Sequence, residues 1–125
     1  RITATSEEKL ASFMEYFTKI HGFSAEVKQG IYSSDSIPFA DSGVPGINFI
    51  RGGAEGAAYI HNRFDTLEFL SAEALEKTTH IVLEFGKTMA NAKVLPVERK
   101  IPQNIVEDVE KYLYKKELSE AAEEQ

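Results

Sequence analysis

Residues 45–50 read Pro-Gly-Ile-Asn-Phe-Ile, a short apolar run that follows a loop-like segment and ends before Gly52-Gly53. Apolar runs of roughly four to eight residues between turn residues are typical of buried strands. This stretch therefore predicts a buried strand, and the segments on either side of it decide the fold.

Amphipathic helices are predicted before and after this strand. Apolar residues recur at helical spacing over 6–21, with Ser6 in the N-cap position and Gly22 at the end. A longer helix is predicted over 72–91, with Ser71 as its N-cap. The side chains expected to face inward from this second helix are Leu75, Val82, Leu83, Phe85 and Met89.

The remaining segments complete an α/β pattern. A short strand is predicted over 23–29, a loop with a brief helical turn over 33–43, and a helix over 103–118. The apolar stripe of this last helix either packs on the domain or binds a second subunit; its residues are Ile105, Val109, Tyr112 and Leu113. We expect a partial mixed sheet flanked by helices, with an extra C-terminal helix and a fraying acidic tail at 117–125.

Composition limits the classes of protein that fit. The chain has 125 residues, a net charge of −6 and no cysteine, which allows one small domain without disulfides, Cys-based zinc fingers or a thiol nucleophile. The acidic balance argues against nucleic acid as a partner. No apolar run approaches the roughly 18 residues of a membrane helix, so we also expect no membrane partner.

Two features predict that the chain is part of a longer protein. It begins at Arg1 without an initiator methionine or a targeting segment. The few predicted strands would also leave sheet edges that need a partner. Within the chain, residues 1–92 are expected to form one region, and 93–125 a connector, a helix and a tail.

The chain contains three histidines, of which one stands out. His21 is expected at a helix end and His80 on a solvated helix face. His61 instead lies in an irregular loop rich in Gly and Ala. Imidazole is the commonest metal ligand, and its second nitrogen needs an acceptor. Asp65 either supplies that acceptor or caps the segment that follows.

Spacing alone does not predict a complete catalytic site. A catalytic zinc needs about three protein ligands, and the sequence has no His-x-x-x-His or His-x-Asp pair. It also has no phosphate-binding loop and no Gly-x-Ser-x-Gly nucleophile elbow. A serine cluster at 33–36 is explained by turn chemistry.

Two sequence blocks carry a family resemblance. Residues 34–39 read Ser-Asp-Ser-Ile-Pro-Phe, followed by Ser-Gly-Val-Pro at 42–45 and Asn-Phe at 48–49. Residues 60–66 read Ile-His-Asn-Arg-Phe-Asp-Thr and precede the second long helix. In order and spacing over 30–92, these blocks resemble the zinc-dependent aminopeptidases of the co-catalytic zinc exopeptidases, a group that includes leucyl aminopeptidases and has the glutaminyl cyclases as relatives.

The resemblance implies two zinc ions and a peptide substrate, and it makes His61 the last zinc ligand. It places four residues at the substrate, which are Ser36, Phe39, Ile60 and Arg63. Asp35 and Asp65 would support the pocket and the ligand. The family's other ligands have no counterpart here, so residues 1–92 would be the C-terminal half of the catalytic domain. Such a piece is expected to be inactive in isolation.

Departures from the family pattern keep other functions open. Ser36 stands where members often have His or Tyr, and Ile60 replaces the Tyr that usually precedes the ligand. A non-catalytic, peptidase-like module for binding or assembly is the main alternative, and single-zinc chemistry like that of the glutaminyl cyclases ranks third. As protein partners we expect a second copy of the chain or the missing N-terminal half.

Overall fold

The computed structural model describes residues 1–52 and 59–115. The predicted acidic tail at 117–125 lies outside these residues, as does part of the loop before His61. The elements are β1 (Ile2–Thr5), α1 (Glu8–Ile20), β2 (Val27–Gln29), α2 (Ser36–Asp41), β3 (Gly46–Phe49), a 3-10 turn (Leu67–Phe69), α3 (Ala72–Ala90) and α4 (Gln103–Tyr112). The predicted α/β class, with a partial mixed sheet and an extra C-terminal helix, is confirmed.

The sheet has the order β2-β1-β3, so the first strand is the central one. β1 runs parallel to β2, with Ile2 opposite Val27, and antiparallel to β3, with Ile2 opposite Phe49. β1 was not predicted from the sequence. All four of its residues are buried, including Thr3 and Thr5. Its apolar and hydroxyl side chains alternate, but neither face of the strand is exposed to water.

Two of the three predicted helix-end signals are confirmed. Gly22 adopts a left-handed φ of +65° just beyond α1, and the Oγ of Ser71 accepts from the backbone N–H of Ala74 at 3.2 Å at the start of α3. The prediction for Ser6 is wrong, because the N-cap of α1 is Glu7 and no side chain caps this helix. Ser6 is instead fully buried directly after β1.

The predicted inward face of α3 is only partly correct. Phe85 and Met89 pack against the core as expected, together with Ile81, which is the buried residue of this helix. The other three predicted residues are exposed, and these are Leu75, Val82 and Leu83. Because α3 carries apolar residues on more than one side, periodicity alone cannot tell which side the sheet covers.

Two apolar clusters hold the elements together. The larger joins α1, β1 and α3, and its most buried members include Ile2, Met14 and Ile81. The smaller joins α2 to α4 through Ile37, Ala40, Ile105 and Val109. The interpretation of the C-terminal helix as a packed helix is therefore confirmed for Ile105 and Val109.

In the part of the chain that the structure describes, no helix combines the length and the apolar content needed to cross a membrane.

Candidate functional site

A closed set of hydrogen bonds ties the serine-rich loop to β3. The hydroxyl of Ser34 donates to Oδ1 of Asn48 at 2.7 Å, and Nδ2 of Asn48 donates to Oγ of Ser36 at 2.9 Å. The two serine hydroxyl oxygens lie 3.0 Å apart. Asn48 thus acts as donor and acceptor at once, and it fixes the start of α2 against the sheet.

This network was not predicted, because the serines were interpreted as turn residues. The available signal was Asn48 itself, a polar side chain in the middle of an otherwise apolar strand. Buried polar side chains are nearly always hydrogen-bonded, so an amide at such a position indicates partners elsewhere in the fold. Nothing in the sequence identifies those partners as Ser34 and Ser36.

Three of the predicted site residues line one surface cleft of about 310 Å³ beside this network. Asp35, Ser36 and Phe39 form one wall, while the start of β3 and the residues before it form the other. Gly46 allows this close approach, since a Cβ at that position would lie 3.3 Å from the Cβ of Ser36. The ring of Phe39 is 57% exposed and is free to contact another molecule.

The other predicted residues lie on the turn at 59–66. His61 is exposed and has a φ of +66°, a left-handed conformation that costs a residue with a Cβ about 1–2 kcal/mol. Asn62 forms the turn: its N–H donates to the carbonyl of Tyr59 at 3.1 Å, and its Oδ1 accepts from the N–H of Phe64 at 2.8 Å. Backbone strain of this kind concentrates at functional sites.

Aromatic side chains surround the exposed side of this turn. The ring of Tyr59 lies 5.2 Å from that of Phe69 and 6.0 Å from that of Phe64, measured between centroids. The guanidinium of Arg63 lies 4.7 Å from the centroid of Phe64, which is cation–π distance. Ile60 is 61% exposed. The turn therefore presents an apolar surface with one positive charge next to His61.

Within the described residues, the only predicted site residues that line the cleft at α2 are those of the first group, described above. Ile60, His61, Arg63 and Asp65 are not among the residues that line the cleft at α2. Asp65 donates its backbone N–H to the carbonyl of Asn62 at 3.1 Å, so its contact within the turn is made by the main chain. The roles predicted for these side chains stay predictions.

The described residues also do not form a metal site by themselves. Across 1–52 and 59–115, no three His, Asp or Glu side chains are grouped so that they could hold a metal ion. His61 can supply one nitrogen ligand, and a zinc ion would need its other ligands from elsewhere. The two-zinc centre that the resemblance implies does not fit the described residues alone.

Comparison with known proteins identifies a family. The model of peptidase family M28 matches residues 2–86, a range that contains the sheet, the cleft at α2, the turn at His61 and most of α3. Neither the curated proteins nor the solved structures contain a significant match to this chain.

Proposed function

The chain belongs to peptidase family M28, and from this premise we propose that it forms part of a zinc-dependent aminopeptidase. In this proposal, His61 is one zinc ligand and the cleft at α2 contacts the peptide. The observation that carries the proposal is the family match over residues 2–86, since this range includes both sequence blocks of the resemblance.

The exposed side chains of the two segments support a peptide substrate. Phe39 and Ile60 are 57% and 61% exposed. Covering these side chains with an apolar side chain of a peptide would make the free energy of binding more favourable. Ser36 carries a hydroxyl at the cleft, and Arg63 carries a positive charge on the turn. These residues would select and orient the peptide, while His61 holds metal.

The 125-residue chain is proposed to be inactive without further ligands. A single exposed imidazole binds zinc weakly, and a catalytic site needs about three protein ligands. The described residues contain no group that could supply the rest. An active peptidase would therefore combine this chain with residues that complete the metal site, and we call that form the assembled peptidase.

The test compares His61→Ala with His80→Ala in the assembled peptidase. His80 is an exposed histidine on α3, so its loss controls for general effects of removing an imidazole. We expect His61→Ala to lose bound zinc and at least a hundredfold in hydrolysis of a leucine chromogenic amide, because a catalytic metal loses a direct ligand. His80→Ala should retain both.

Two outcomes would contradict the proposal. Retention of zinc and activity by His61→Ala would remove His61 from the metal site. Robust, chelator-sensitive hydrolysis by the 125-residue chain alone would show that it carries a complete site.

One observation favours a second candidate function, a peptidase-like module that binds peptides without cleaving them. The described residues offer a cleft at α2 and an apolar turn but no grouped metal ligands. Such a module would bind leucine-containing peptides equally well with and without zinc. Calorimetric titration with such a peptide, with zinc and with a chelator, separates the two functions, because only the binding module has the same affinity in both.

A further inference from the structure

The C-terminal helix lies outside the family match but contacts α2, the helix that lines one wall of the candidate peptide cleft. The match ends at residue 86, and α4 covers Gln103–Tyr112. Its main contacts are with α2, the helix that carries Ser36 and Phe39. A helix that the family pattern does not require thus borders the segment proposed to bind substrate.

The contact between α4 and α2 has an apolar centre. Ile105 and Val109 of α4 are buried against Ile37 and Ala40 of α2, with each side chain less than 5% exposed. Burial of an aliphatic side chain of this size stabilises a contact by about 1.5–3 kcal/mol. The contact between α4 and α2 is therefore a small hydrophobic core.

Polar contacts at the end of α4 reach both ends of the cleft segment, residues 33–41. The hydroxyl oxygens of Tyr112 and Ser33 lie 2.5 Å apart, and Ser33 comes just before α2. The ammonium of Lys115, which follows α4, pairs with the carboxylate of Asp41, the last residue of α2. The ion pair is largely exposed and contributes little by itself. The hydroxyl pair is exposed as well, with Tyr112 43% exposed, and it is the contact that removal of a single oxygen atom can test.

The cleft segment is also fixed by β3. Asn48 binds Ser34 and Ser36, and Gly46 lies so close to Ser36 that an added Cβ would come within 3.3 Å of the Cβ of Ser36. The segment is thus held by both β3 and α4. Its Phe39 side chain lines the cleft.

We propose that α4 is a positioning element for the peptide cleft, with Tyr112 as its positioning residue. Tyr112 holds Ser33 and so fixes the cleft segment in the conformation that places Asp35, Ser36 and Phe39 along one wall. The effect on peptide binding rests on the proposed function; the effect on the cleft segment does not.

The first test uses Tyr112→Phe, which removes one hydroxyl and keeps the ring. Tyr114→Phe is the matched control, because Tyr114 lies two residues further on and is 65% exposed. Amide hydrogen exchange is followed for peptides covering residues 33–41 in the 125-residue chain. We expect exchange to be about fivefold faster in Tyr112→Phe, as the loss of one hydrogen bond predicts, and unchanged in Tyr114→Phe. Equal exchange in the two variants overturns the proposal.

A double-mutant cycle ties this effect to the Ser33 contact. If Tyr112 acts through Ser33, then Ser33→Ala should accelerate exchange to a similar extent, and the double variant should be no faster than either single variant. Additive effects of the two substitutions would mean that the hydroxyls act independently, and they would remove Tyr112 from its assigned role.

The second test measures peptide hydrolysis by the assembled peptidase. We expect Tyr112→Phe to raise KM about fivefold with kcat and zinc content unchanged, because the cleft orients the peptide and does not touch the metal. Faster exchange with an unchanged KM would overturn the link to substrate. If the assembled protein hydrolyses no peptide, the proposed function fails, while the exchange experiment still decides the role of α4.

Discussion

The two segments that carry the candidate site residues are stabilised in different ways. The cleft segment at 33–41 is held by Asn48 of β3 and by the apolar cluster with α4. The turn at 59–66 is held by hydrogen bonds within itself and by neighbouring aromatic rings. The difference indicates two kinds of support: the wall proposed to bind peptide is fixed by tertiary packing, whereas the conformation around His61 depends on local contacts.

The largest expected difference between the two segments is in global stability. Ile105→Ala should lower the free energy of unfolding by about 2–5 kcal/mol, because it leaves a cavity in the cluster of α2 and α4. Leu67→Ala, at an 83% exposed position just after the turn, should change it by less than about 0.5 kcal/mol. Urea denaturation followed by circular dichroism measures both. Similar effects of the two substitutions would contradict the comparison.

A smaller difference is expected between two asparagines, Asn48 of β3, which binds the cleft segment, and Asn62 within the turn. Asn48→Ala leaves the hydroxyls of Ser34 and Ser36 without their amide partner, and we expect a loss of about 1–3 kcal/mol in unfolding free energy. Asn62→Ala removes one exposed side-chain bond to Phe64, and we expect a loss of at most about 1 kcal/mol. The denaturant midpoints of the two variants measure these losses. A larger loss for Asn62→Ala would contradict the view that tertiary contacts hold the cleft segment more firmly than local contacts hold the turn.

The smallest expected effect concerns backbone strain in the turn. His61 has a φ of +66° and Gly22 a φ of +65°, so opposite substitutions at the two positions test the same conformation. His61→Gly should raise the unfolding free energy by about 0.5–1 kcal/mol in metal-free protein, since glycine adopts this φ without a steric penalty. Gly22→Ala should lower it by about 1 kcal/mol. A destabilised His61→Gly variant would show that the imidazole makes contacts that outweigh the strain.

Much of the fold follows from local sequence signals. The helix ends at Gly22 and Ser71 were predictable, because a left-handed residue and a hydroxyl N-cap act within a few residues. Ser6 misled the prediction, since a serine that is buried behind a strand has the same sequence signature as a helix cap. β1 was missed because four residues are too short a run for a reliable period, and because its threonines are buried and not on a water-facing side.

The sequence blocks name candidate residues, and the structure shows where these residues lie without testing their roles. Asp35, Ser36 and Phe39 were assigned from one short block, and the structure places them along one cleft. The contact of Tyr112 with Ser33 spans most of the chain and leaves no trace in local spacing. The same holds for the bonds of Asn48, because partners that meet only through tertiary packing cannot be identified from a single sequence.

The central position of β1 also sets the order in which this region can assemble during synthesis. Ile2 pairs with Val27 on one side and Phe49 on the other, so the first strand leaves the ribosome well before both of its partners. Until β3 has emerged, one edge of β1 lacks its partner strand, and closing the sheet must overcome the entropy of the intervening loops. We therefore expect the sheet to form late and in one cooperative step, together with the packing of α1 on β1.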